Sequence, residues 1–426
     1  MRGPRPRAQA LAALVSVVVL APVIAFAPVV GFASTAAATT AVVPIPTTGP
    51  PTPTAMQPWV MAAEQVMRAY SLPGASLAVA YEGRVVLEKG LGYADLQTHT
   101  LVQPGSAFRL ASVSKPLTAT LIGILISEHK LSLSTKPFAT FLKGLRGPGG
   151  AKAVDPRIYD ITIYDLLMHQ GGWDISALGY DPVFNAAAEE HALGLHSPPT
   201  CEDAIRFMLG VKLNFTPGAQ THYSNFGFCV LADTIAHVTG LPYAQAAKQL
   251  LLDQLGMYHT EQAANNLNVR QAGEVHYYGQ GDEASGTESP YQLNLEAAMG
   301  AATWVSTAPD LERFLIGTTG AVPGSIPFPS WPFNMVATDT PPPAPVPPAG
   351  GPATPSQGYW WFFDGSLPGT STEVGDVGPI TYVMLANSRD PLRATSFGPL
   401  QDLAEKWWRE PASVWPSGNL LSPPAV

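Results

Sequence analysis

The chain has 426 residues, 46% of them hydrophobic, enough for one large domain or a few closely packed ones around a substantial core. Only 13% of residues are charged and the net charge is −9, with no lysine–arginine stripe beyond three arginines near residue 1. That balance excludes nucleic-acid binding, which needs a basic footprint. In chain order, Arg2, Arg5 and Arg7 precede an apolar run over residues 8–33 and a cluster of small residues at 33–38. This is the layout of an export signal, or of a signal anchor if it is not cleaved. The expectation is an extracytoplasmic protein, secreted or held by the apolar segment, with residues 1–38 as signal and possible association with membrane or cell wall. Residues 39–56 are rich in Pro, Thr and Ala and predict an extended linker.

The folded domain is expected over residues 57–411. A helix is predicted over 60–70. Apolar runs at 75–81 and 84–91 flank Glu82-Gly83, a hairpin signal. A short strand-like piece at 108–111 leads into an apolar helix over 112–128. The middle reads as mostly helical to about residue 300, most clearly at 161–168 and 226–239. A Pro-dense insertion over about 325–357 is too long for an ordinary loop. Strand-like runs at 359–363 and 380–386 follow, then a helix at 400–409 and a tail over 412–426 expected to lack structure. Strands at both ends with helices between predict an α/β layer with an inserted helical region. Cys201 and Cys229 are either a disulfide or two buried thiols.

Two elements carry chemistry. Ser112 and Lys115 form an S-x-x-K at the head of the apolar helix, where positions three apart share one face. The helix start supplies a partial positive field and free N–H groups for a developing oxyanion. A serine needs a base to become nucleophilic, and a lysine acts as one only when burial disfavours its ammonium form. A second S-x-x-K, Ser127 and Lys130, lies beside Glu128 and His129 and reads as a solvated helix end. Downstream, Tyr223, Ser224 and Asn225 form the chain's one Y-x-N, just before another apolar helix. A phenol there can relay a proton, and an amide can hold both Lys115 and a substrate carbonyl.

An S-x-x-K at a helix head followed about a hundred residues later by Y-x-N resembles the serine β-lactamase-like, penicillin-recognising hydrolases. These include class C β-lactamases, D-alanyl-D-alanine peptidases and family VIII carboxylesterases. ITIYDLLMHQGGWD (residues 161–174) and GAATWVSTAPDLERFL (residues 300–315) resemble further segments of that family, and the likeness covers residues 57–411. It implies a β-lactamase/transpeptidase-like fold, with an antiparallel sheet flanked by helices and an inserted, mostly helical region. It also implies a serine hydrolase with Ser112, Lys115 and Tyr223 as catalytic residues. Asn225, Gly365 and Ser366 would bind substrate, the Ser112 and Ser366 N–H groups forming the oxyanion hole. His169, inside one of the resembling segments, reads as structural.

The third family element departs from pattern. Where Lys-Thr-Gly or His-x-Gly is usual, the stretch is WWFFDGSLPGTSTEV, with Phe363 in place of the cation and Asp364 after it. Phe363 cannot attract a substrate carboxylate and Asp364 would repel one, with Arg389 or Arg393 as possible compensation. The expected substrates are thus esters or amides, small molecules or peptides, with peptidoglycan-related compounds or β-lactams as the anionic cases. The alternative is a catalytically impaired cell-wall-binding module on the same fold. The sequence offers no metal-ligand cluster and no Gly-rich phosphate loop, so no metal or other cofactor is expected.

Overall fold

The computed structural model describes residues 43–264, 270–280, 290, 292–318, 360–390 and 397–421. The predicted signal, the Pro-dense insertion and Arg393 lie outside them. One compact unit begins at Ile45. Its main sheet is antiparallel. It contains β1 (Thr47–Thr48), β2 (Gly74–Tyr81), β3 (Arg84–Asp95), β4 (Thr100–Leu101), β8 (Trp360–Leu367), β9 (Thr370–Val377) and β10 (Ile380–Ala386). The strand order is β1-β3-β2-β10-β9-β8, with β4 against β3. Residues from both ends of the chain thus interleave, and β10 docks on β2 in register from Ile380 opposite Tyr81 to Ala386 opposite Ala75. A small sheet β5-β7-β6 is made of Ala107–Arg109, Trp304–Thr307 and Glu261–Gln262.

The period-2 geometry of a strand sends alternate side chains to opposite faces. Ile380, Tyr382 and Met384 of β10 enter one apolar cluster with α1 (Gln57–Ala69) and the C-terminal helix Gly398–Trp407. Val383 and Leu385 enter the other, larger cluster. That second cluster holds α2 (Ser114–Ser127), α3 (Ile163–Leu167), α4 (Ile175–Leu178), α6 (Cys201–Met208) and α7 (Asn225–Thr239), with α5 (Ala186–Leu193) lying against α6. It continues through α8 (Tyr243–Ala247), α9 (Asp253–Leu255) and α10 (Ala308–Thr318). The C-terminal helix is α11.

Two readings at the domain margins are corrected. Part of the Pro-rich linker is not a free tether: β1 pairs with β3, and Lys89 Nζ donates to Pro50 O at 2.5 Å. Proline lacks one donor but suits an edge strand, so this composition can still dock. The described part of the tail is also ordered. Trp415 is 5% exposed and stacks on Tyr81 at 4.4 Å, and Asn419 Oδ1 accepts from Val85 N at 3.0 Å. One buried indole supplies the apolar area that holds the segment down. Cys201 and Cys229 form a disulfide joining α6 to α7, with their Cα atoms 5.7 Å apart.

Candidate active site

Ser112 lies in a 3-10 turn, Ala111–Val113, that feeds α2. Ala111 has φ +48°, a left-handed conformation unusual for a residue with a Cβ and characteristic of strained sites. Ser112 does not cap the helix. Its Oγ is 2.6 Å from Tyr223 OH and accepts from Lys115 Nζ at 3.0 Å. Residues 112 and 115 sit one turn apart, so the lysine folds back onto the serine as helical spacing requires.

Lys115 is fully buried. The other two of its three N–H donors go to Asn225 Oδ1 at 2.7 Å and to Ala301 O at 3.1 Å. Gly300, at φ +77°, lets that carbonyl approach, because a Cβ there would lie 2.6 Å from Phe228 O. Burial lowers the Lys115 pKa to about 7, against the opposing pull of the Asp181 and Asp364 carboxylates. Its Nζ also lies 4.7 Å from the centre of the Tyr223 ring. A lysine titrating near neutrality and bonded to a serine hydroxyl can take that hydroxyl's proton.

Tyr223 and Asn225 are presented by the start of α7. Ser224 is the helix cap, its Oγ accepting from Gly227 N at 3.1 Å, so Asn225 is left free to reach Lys115. His169, at φ +57°, braces this loop. Its Nδ1 accepts from Ser224 N at 3.1 Å, its carbonyl accepts from His222 N at 3.0 Å, and its ring lies 4.7 Å from that of Tyr223. Burial, then the Lys115 charge, lowers its pKa to about 3, so it stays neutral.

The remaining predicted residues lie on β8, the edge strand of the main sheet. Gly365 is required by close approach: a Cβ there would sit 2.4 Å from Leu110 O and 2.9 Å from Ser112 N. β8 turns into β9 through Pro368-Gly369, with Gly369 at φ +79°, and Leu367 faces Thr370. Antiparallel alternation from that closing pair turns the Ser366 N–H outward at the free edge, beside Ser112. Phe363 is 4% exposed and packs in the larger core cluster, paired with Val374 across the sheet. Asp364 lies on the face opposite Gly365, across from Glu373. Arg389 Nη1 donates to Ser366 Oγ at 3.3 Å.

Sequence reasoning missed Ala301 and Asp181. The Asp181 carboxylate accepts from Asn225 Nδ2 at 2.6 Å and from Val183 N at 3.2 Å. The available signal was Asp-Pro, which reads only as a helix cap or turn.

A family model described as beta-lactamase matches residues 61–404. The esterase EstB of Burkholderia gladioli is 30% identical over 199 residues, 46% of this chain and 48% of that protein. The match thus spans about half the length of that relative. Among solved structures, an octameric penicillin-binding protein homologue from Pyrococcus abyssi superposes with a TM-score of 0.59 at 20% identity, covering 83% of this chain and 77% of that one. A beta-lactamase/D-alanine carboxypeptidase from Pseudomonas syringae gives 0.59 at 18% identity over 84% and 100%. With the family model matched over most of its length and that fold shared, the chain belongs to the beta-lactamase family.

Proposed function

We propose that this protein is an exported serine hydrolase that forms an acyl-enzyme on Ser112 and acts on neutral esters or amides. The observation that carries the reading is the contact set of Ser112 Oγ, 2.6 Å from Tyr223 OH and 3.0 Å from a fully buried Lys115 Nζ. Neutral Lys115 takes the Ser112 proton as Oγ bonds to the substrate carbonyl carbon. The Ser112 and Ser366 N–H groups hold the resulting oxyanion, and Asn225 orients the acyl group. On collapse the bond to the leaving group breaks, and Tyr223 gives it a proton that Lys115 replaces. Water then attacks the acyl carbon, the same groups take its proton, and Ser112 leaves protonated.

Phe363 supports uncharged substrates, since the wall is apolar where a cation would pair with a carboxylate. The name of the EstB relative agrees with an ester preference. The disulfide supports export, because such bonds persist in oxidising compartments. The test is labelling of the purified protein with a fluorescent fluorophosphonate, beside Ser112→Ala. Wild type should label and the variant should not; equal labelling removes Ser112 as the nucleophile.

A further inference from the structure

Asn225 stands between two charged groups. Its Oδ1 accepts from Lys115 Nζ at 2.7 Å and its Nδ2 donates to Asp181 Oδ2 at 2.6 Å. An ammonium only donates and a carboxylate only accepts, so these partners fix which way the amide points. One Nδ2 hydrogen is spent on Asp181 and the other is left for substrate. Asp181 is itself held: it is the N-cap of the 3-10 turn Pro182–Phe184, its Oδ1 accepting from Val183 N at 3.2 Å. Burial pushes its carboxyl up, opposed by the bonds from Asn225 and from Val183 N and by the Lys115 charge; with both oxygens accepting, we take it as the carboxylate.

We propose that Asp181 is a positioning residue for acylation. Through Asn225 it fixes the acceptor shown to Lys115, and its negative charge holds the proton on that lysine. The inference rests on the acyl-serine reading above.

The groups around the pair are consistent with this. Facing Lys115 are Ser112 on its own turn, Tyr223 and Asn225 at the start of α7, and the Ala301 carbonyl. Asp364 acts on it from β8, and His169, behind the tyrosine, stays neutral. Facing Asp181 from α5 is Glu189, whose buried carboxyl is raised to about 8 by burial first, then by Asp203, Asp181 and Glu190. Glu189 therefore keeps its proton near neutrality and does not compete as an anion. Asp203, on α6, is engaged with Thr200 and Arg206.

The sign follows. Acylation requires neutral Lys115, so its rate rises with pH through the lysine's titration. The Asp181 charge favours the ammonium, so removing it moves that rise to lower pH. Losing the amide's fixed orientation lowers the plateau.

The experiment measures the acylation rate of the full chain with p-nitrophenyl butyrate and with a fluorophosphonate, from about pH 5 to 9. Asp181→Asn should lower the plateau about tenfold and move the acid limb down by about half a unit or more. Asp181→Glu, which restores the charge, should return the limb to its wild-type position. Asp181→Ser serves as the neutral variant if the asparagine variant does not fold. A merely structural role would lower the melting temperature and leave the limb in place, so a neutral variant with the wild-type limb overturns the proposal. Ser112→Ala separates the two readings. If it acylates like wild type, the acyl-serine reading falls. If it is inert while Asp181→Asn matches wild type in rate and limb, only the Asp181 role falls.

Discussion

Lys115 carries a conflict between two effects. Burial drives its proton off and two carboxylates hold it on, and burial wins by enough to bring it to about 7. Below that pH it is an ammonium and cannot accept the Ser112 proton; above it the amine is free. Fluorophosphonate labelling should therefore rise with pH to half its plateau near about 7. Lys115→Arg, which keeps the charge but cannot deprotonate, should cost about 10²-fold or more at every pH. A flat pH profile, or an active arginine variant, would show that another group takes the proton. The S-x-x-K spacing and the Y-x-N were legible in the sequence because each is local chemistry within three residues. Asp181 was not, since its meaning comes from a contact 44 residues along the chain. Its only local feature was the cap it makes.

Among the elements, β8 decides how the site closes. Its backbone lies so near the turn before α2 that residue 365 has no room for a Cβ. Gly365→Val should push the strand away from Ser112 and lower the labelling rate roughly 10²-fold. A thermal melt would check that the variant still folds, and a wild-type rate would show that the close approach is not needed. The strand's existence was readable from its aromatic run, but its partner β9 was missed. TSTEVGDV lacks alternation and is rich in polar residues, yet every residue of it is buried. Several of its polar groups are satisfied by contacts the sequence does not contain. Thr370 Oγ1 donates to Arg109 O at 3.0 Å, and Thr372 Oγ1 to Leu110 O at 2.8 Å. Glu373 accepts from Tyr382 OH at 2.5 Å and from Gln401 Nε2 at 2.8 Å. These bonds offset part of the burial cost that would otherwise argue against a strand, though burial still raises the Glu373 pKa to about 7.

At the level of the whole molecule, the sheet is buried on both faces, and some acids are buried with it. Glu312 on α10 is fully buried; one oxygen accepts from Thr381 Oγ1 at 2.5 Å and the other has no hydrogen-bond partner among the described residues. Burial raises its pKa to about 8. The folded state therefore holds a proton that the unfolded chain releases above its ordinary value of 4.5, so this group's contribution to stability falls as pH rises from there to about 8. Glu312→Gln removes that loss, and should stabilise the protein by up to about 4 kcal/mol at pH 8 with little effect near pH 4. Denaturant unfolding at the two pH values measures it, and an equal effect at both would show that ionisation is not the cause. The sequence by itself pointed to Ser112, Lys115, Tyr223 and Asn225 and to the helices that carry them, and its resemblance to a known family gave the fold class. The motifs and helices follow from spacing and periodicity, which act over a few residues; the fold class and the residue roles are what the resemblance implies. The interleaving of β10 with β2, the disulfide, the docking of the tail by Trp415 and the place of Asp181 behind Asn225 belong to the tertiary structure alone. Each depends on which distant surfaces exclude water together, and no local pattern encodes that choice.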